Sequence, residues 1–310
     1  MLALSQLFVA AGAILVVVAL AATVLVLVTT RARVVTAQPT LVGAGAPVPR
    51  DSARPDEPAE GPVSDGSPAR AWYARLTIRL ALLALTGALV ARGIAVGHGP
   101  FANQYEFAVA FAWGMLAAYT YAAWRDERGT RALGVVVLPL VLAALLYATT
   151  TGGPAGPLVP ALQHNLLLTV HVFSAVLAYG AAGVACAAAA LHLTLPRLGR
   201  GTRSASTWLP TERRLDTVGY RAVALAFPLM TVMLVLGSVW AERAWGTFWS
   251  WDPKETAALV TWLIYGAYLH ARVARGWRGR RASWLLVLGF AAVVFTYLGN
   301  HFLGGLHSYA

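Results

Sequence analysis

Eight apolar stretches run along the chain, near residues 7–29, 76–96, 106–123, 132–150, 166–194, 218–240, 256–272 and 282–303. Each approaches the roughly 20 mainly apolar residues that a helix needs to cross a bilayer. The pattern predicts an all-α fold, a polytopic membrane helix bundle of about eight transmembrane helices. Between the first two stretches, Gln38 to Ala71 is rich in Pro, Gly, Ala, Ser and acids, as in Pro47-Val48-Pro49-Arg50-Asp51 and Pro55-Asp56-Glu57-Pro58. Such a segment has no apolar face to bury and reads as a flexible linker. The expected organisation is an N-terminal transmembrane helix (1–30), a flexible cytoplasmic linker (31–71) and a membrane domain (72–310) carrying a tryptophan-rich loop at 240–255. No internal repeat stands out, which disfavours an inverted-repeat transporter.

The basic residues predict which way the spans point. Connections 30–75, 124–131, 195–217 and 272–281 hold six, three, five and five arginines. The alternate connections 97–105, 151–165 and 241–255 hold none, none and two basic residues, the two being Arg243 and Lys254. Cytoplasmic loops carry the Lys/Arg excess, so the first set is expected inside and the second outside, with N-terminus and C-terminus both outside. The first stretch has no basic residue ahead of it and Arg31 and Arg33 behind it. A secretory signal has the opposite polarity, so a retained span is expected.

Composition agrees. The 310 residues are 58% hydrophobic and 12% charged, with a mean hydropathy of +0.63, against about 25% charged in soluble chains. An ordinary soluble enzyme is excluded. The net charge of +11 becomes a topology signal with anionic lipids as its partners; nucleic acid is not implied. The single cysteine, Cys186, excludes a disulfide framework, a CxxC redox pair and a cysteine-based zinc site, and packs as a small apolar residue.

Polar residues in a membrane protein are informative because each costs free energy to place. The connection from Trp240 to Glu255 holds Trp240, Trp245, Phe248, Trp249 and Trp251. One or two tryptophans would read as an interfacial belt; four in one loop, interleaved with Gly246 and Ser250, suit a flat platform for a large planar ligand. Asp252-Pro253-Lys254-Glu255 places an acid at N-cap, proline at N1 and Glu at N3, a capping box for the seventh helix. That role is structural, and a rigid helix start would also hold the tryptophans in place.

His171 lies roughly 8 Å along the fifth helix from its outer end, at a rise of about 1.5 Å per residue. His307 follows the eighth helix in Gly304-Gly305-Leu306-His307. Each alone is more often a satisfied polar residue than a ligand. Together they share the membrane level of the tryptophan loop, and two neutral imidazoles across an aromatic shelf would suit haem iron. His270 lies roughly 22 Å deeper than Glu255 along the seventh helix. It reads equally as a histidine at the interface beside Arg272 and as a functional intramembrane group. His192 reads as structural, and His98, His164 and His301 have no second supporting feature.

Trp245-Gly246-Thr247-Phe248-Trp249-Ser250-Trp251-Asp252-Pro253-Lys254-Glu255 resembles the WWD motif of haem-handling proteins. Within that group the chain resembles the CcsA/ResC family of the system II cytochrome c synthesis machinery. The likeness extends through Thr261-Trp262-Leu263-Ile264-Tyr265, Leu269-His270, Leu168-Thr169-Val170-His171-Val172, Asn103-Gln104-Tyr105-Glu106-Phe107 and Gly305-Leu306-His307-Ser308-Tyr309. It covers about 72–310 and leaves the first helix and linker outside. The resemblance implies a bacterial plasma-membrane protein that carries haem b to the outer face, where the WWD loop would lie. There it would present haem to the CxxCH thiols of apocytochrome c for thioether formation. The chain would be a subunit of a cytochrome c synthase (holocytochrome c haem lyase) and offer no catalytic nucleophile of its own.

The resemblance also implies a site. His171 and His307 would be axial ligands of the outer haem, and His270 a ligand of a second haem in the membrane. Trp240, Trp245, Trp249, Trp251 and Asp252 would hold the macrocycle. A ResB/CcsB-type membrane protein would be the partner, with thiol-reducing membrane and thioredoxin-like proteins acting indirectly. A system I (CcmC/CcmF-like) haem handler and a small-solute transporter with a tryptophan belt are the alternatives.

Overall fold

The computed structural model describes residues 1–36, 68–153, 162, 165–198 and 209–307. Most of the predicted linker, and His164, lie outside the described residues. The chain forms α1 (Leu2–Thr36), α2 (Pro68–Val96), α3 (Gln104–Arg125), a short turn of helix α4 (Glu127–Thr130), α5 (Gly134–Thr151), α6 (Asn165–Leu198), α7 (Glu212–Trp245), α8 (Pro253–Arg275), α9 (Arg280–Leu298) and the short α10 (Asn300–Leu303). The described residues are all-helical, apart from turns and one 3-10 turn, Arg131–Leu133.

Seven of these helices are long and apolar enough to cross a membrane: α1, α2, α3, α5 (with the 3-10 turn before it), α6, α7 and α9. Each of the first six contains one predicted span, and the last, 282–303, runs from α9 through Gly299 into α10. The expected span at 256–272 forms helix α8 but falls short of membrane hydropathy. The physical reason is its polar content, since Lys254, Glu255, His270, Arg272 and Arg275 all stand within its 23 residues. It packs against α7 and α9 all the same, so its length lies within the bundle. The chain is a multi-pass membrane protein.

Helix α6 is the hub, with 78% of its apolar window buried and α3, α7 and α9 packed around it. Its run Ala178-Tyr179-Gly180-Ala181-Ala182-Gly183 explains why. Lipid tails are as apolar as leucine, so membrane helices associate through close packing, which small residues permit. A side chain added at Gly180 would strike the backbone of Gly114 on α3, and one at Gly114 would strike Val176 of α6. At the far side, Ser5 of α1 donates its hydroxyl to the Ala88 carbonyl of α2 at 2.9 Å.

A buried ion pair also ties the helices together. Arg92 Nε donates to Glu106 Oε1 at 2.8 Å, with side chains 4% and 1% exposed. A second Arg92 nitrogen donates to the Gly153 carbonyl at 3.0 Å, and Ala102 N donates to Glu106 Oε2 at 2.7 Å. Satisfied in this way, the pair escapes the penalty of an unpaired buried charge and pins α2, α3 and the end of α5 at one level.

Candidate functional site

At one end of the bundle, a cleft forms between the starts of α3, α6 and α8, the end of α7 and the tail after α10. The space between these elements is about 1160 Å³ when the open solvent at its mouth is included. Phe107, Phe111, Leu168, Val172 and Met233 make much of the wall apolar, and His171, His307, Trp240 and Trp249 also line it. The two histidines, 136 positions apart, thus meet in one cavity, as do two of the four tryptophans.

His171 stands near the start of α6. Its Nδ1 lies 2.7 Å from the Met233 carbonyl oxygen of α7. A carbonyl only accepts, so Nδ1 carries the proton and Nε2 carries the lone pair. The imidazole reaches that carbonyl across Gly237, one helical turn further along α7. A methyl group there would lie 2.6 Å from His171 Cε1.

His307 is held by the other end of the same logic. Its Nδ1 lies 2.9 Å from Asp252 Oδ1, so this ring also carries its proton on Nδ1. Asp252 has two further tasks. It accepts from Lys254 N at 2.9 Å as the N-cap of α8, with Glu255 completing the predicted capping box, and from Leu306 N at 2.6 Å. The tail comes this close because Gly305 has φ +126, a conformation L side chains rarely adopt, and an added Cβ would meet the Asp252 carboxylate. Burial opposes the charge on Asp252, yet the amides of Lys254 and Leu306 and the His307 ring hold its carboxyl below the ordinary value. Burial, then the Lys254 cation, pushes His307 down to about 4 against the pull of Asp252.

The tryptophans do not form the flat platform expected of them. Trp240 is 2% exposed and neighbours both histidines, nearly parallel to His171 at 6.4 Å and tilted to His307 at 5.8 Å. Trp245 meets both Trp240 and His307 edge-on at 4.7 Å. Trp249 lines the cleft and stands edge-to-face with Trp251 at 5.9 Å. Trp251 itself is 68% exposed with φ +60. Positive φ is strained for a bulky residue, at a cost of about 1–3 kcal/mol, and such strain clusters at functional sites.

His270 is not in the cleft. It is exposed on α8, on the same outward stripe as Leu263 and Ala267. The remaining described histidine rings have local partners: His98 Nδ1 lies 2.8 Å from the Gly99 carbonyl, and the buried His192 lies 3.2 Å from the Ser283 hydroxyl on α9. His301 belongs to α10. Sequence reasoning missed Gly237 and the Met233 carbonyl, which carry no motif, and saw Asp252 as a cap and as a residue that would hold the macrocycle, but not as the partner of His307.

A membrane helix bundle with two partly buried, backbone- and carboxylate-anchored histidines beside a tryptophan-rich stretch defines a class of protein. A family model described as cytochrome C assembly protein matches residues 101–307, two thirds of the chain, and the chain belongs to that family. This places it in cytochrome c biogenesis. Within the family it is of the CcsA type. It is 38% identical to the cytochrome c biogenesis protein CcsA of Gloeobacter violaceus, over 74% of this chain and 84% of that protein. It is 37% identical to CcsA of Guillardia theta, over 74% and 83%. Among solved structures, the cytochrome c haem lyase CcmF superposes with a TM-score of 0.64 at 17% identity, covering 96% of this chain and 46% of CcmF. That likeness is one of fold.

Proposed function

We propose that the chain holds haem b in this cleft between His171 and His307 and presents it to apocytochrome c for covalent attachment. The single observation that carries the reading is the pair of anchored imidazoles. Each has its proton fixed on Nδ1 by an acceptor, at 2.7 and 2.9 Å, which makes Nε2 the nitrogen that would ligate iron. An outer partner that fixes the tautomer is what ligating histidines generally require. The residues present fit haem in the other respects too: the wall is apolar and aromatic, as a porphyrin face needs, and the cleft is open on one side.

The chain's contribution is positioning. Each CxxCH thiol adds across one haem vinyl group, the sulfur bonding one carbon and the thiol hydrogen ending on the other, so no net electron or external base is consumed. Holding haem and thiols together raises their effective concentration. The CxxCH histidine would then replace His171 or His307 on the iron. The arginine asymmetry supports a cleft on the extracytoplasmic side of the plasma membrane, with both termini there. His270, exposed on α8, would ligate a second haem jointly with a ResB/CcsB-type partner seated on that face, and the thiol-reducing proteins would act on the apocytochrome.

The test is a visible spectrum and pyridine haemochrome assay on the purified protein and on His171→Ala and His307→Ala. Bound b-type haem, lost or spectrally altered in both variants, is the expected result. Unaltered haem in both variants, or haem-free protein after haem is supplied with the partner present, would overturn the reading.

A further inference from the structure

The ionisable groups of the cleft do not balance. Glu255 Oε2 is spent on Ser250 N, Ser250 Oγ and Asp252 N at 2.9, 3.1 and 3.3 Å. Asp252 is spent on the α8 cap, the tail amide and His307. The Lys254 ammonium lines the same cleft, and among the described residues no carboxylate lies within ion-pair reach of it. It rests instead over the Phe107 ring, 5.3 Å from the centroid. Asp252 is near enough to favour the Lys254 charge, yet both carboxylates are spent on other donors, so the ammonium keeps its own donors for a ligand in the cleft.

A second, independent feature lies beside it. Gln104, at the first position of α3, is one helical turn before Phe107 and lines the cleft too. Its Oε1 is buried and meets no hydrogen-bond partner. A buried amide group without a partner costs about 1–3 kcal/mol. The side chain presents NH2 in place of oxygen by a half-turn about its last bond. An ammonium and a primary amide on one wall make a receptor for a carboxylate.

We propose that Lys254 and Gln104 bind a propionate carboxylate of the porphyrin, and thereby select tetrapyrroles that carry free acid side chains. The assignment rests on the haem reading above and adds the substrate feature that the cleft recognises. Held at its acid edge by α3 and α8, the macrocycle enters in one sense, which leaves His171 and His307 to define the iron and not the rotation about it.

The experiment titrates the full-length protein in detergent with haem and, separately, with haem dimethyl ester, in wild type, Lys254→Met, Lys254→Arg and Gln104→Leu. The readout is the ratio of the two apparent Kd values from the Soret change. Partition of the ester into detergent is common to all four proteins and cancels between them. Wild type is expected to favour the free acid, and Lys254→Met to cut that preference by about tenfold, as expected for a hydrogen bond to a charged group. Ester affinity stays unchanged, Lys254→Arg keeps most of the preference, and Gln104→Leu gives a smaller loss. A Lys254→Met protein that keeps the wild-type ratio, or that weakens both ligands equally, overturns this assignment and leaves the haem site standing. A wild-type protein that binds neither porphyrin overturns the haem reading itself.

Discussion

Asp252 Oδ1 lies 2.9 Å from His307 Nδ1 while the same carboxylate caps α8. One side chain therefore starts a helix, docks the C-terminal tail and fixes an imidazole tautomer. Asn is as good an N-cap as Asp, so Asp252→Asn should keep the α8 cap while its NH2 gives up a bond to Leu306 N or to His307. Its haem affinity should fall by about 10–100-fold, the usual loss when a ligand's outer partner is removed. Asp252→Ala should lose affinity and, through the cap, about 1 kcal/mol of stability. Soret titrations beside thermal melts separate the two effects.

Gly237 offers a cleaner separation. An alanine in a helix interior is normally more favourable than glycine by about 1 kcal/mol. Here the new methyl would stand 2.6 Å from His171 Cε1. Gly237→Ala should therefore melt no lower than wild type yet lose the low-spin haem spectrum. A normal spectrum in a stable Gly237→Ala protein would show that the His171 ring position has no bearing on ligation.

Trp251 is exposed and strained at φ +60. Trp251→Ala and Trp251→Gly both remove the ring, and only glycine relieves the backbone. Equal haem loss in the two, with the glycine variant melting higher, is expected if the ring serves the ligand and the strain is tolerated for its sake. Full haem retention in both would reduce Trp251 to an interfacial residue.

The protonation of His307 predicts a pH profile. Its ordinary value near 6.5 is pushed down to about 4 in the folded protein. Only the neutral ring ligates iron, and a lowered value keeps it neutral through mildly acidic conditions. Haem affinity should thus hold from pH 8 to about 5 and be lost as pH falls through about 4. A decline that begins at pH 6.5 would contradict the buried environment of this ring.

Much of this architecture is legible in the chain, because a span of about 20 apolar residues is a length signal that survives without any partner. The capping box is local too and forms as read, whereas the tryptophans, though local in the chain, meet edge-on instead of making a flat platform. Helix α8 marks the limit of hydropathy: it packs as part of the bundle with charges at both ends. The Arg92–Glu106 pair escapes notice because Glu106 already looks explained, standing in the first turn of α3 beside the Asn103 cap. The Met233 carbonyl that orients His171 is 62 residues away and is backbone, so no side-chain pattern marks it. The contact between Asp252 and His307 spans 55 residues, and nothing in the local capping motif points to that ring. Long-range contacts through backbone atoms are the part of a site that one sequence does not display.

The most direct measurement is an electron paramagnetic resonance spectrum of the ferric haem-loaded protein and its His171→Ala and His307→Ala variants, each with and without added imidazole. Two histidine ligands predict a low-spin spectrum in wild type, a high-spin spectrum in each variant, and low spin regained when imidazole fills the vacated position. A low-spin spectrum unchanged in both variants would contradict the account, since the iron would then be held by neither histidine.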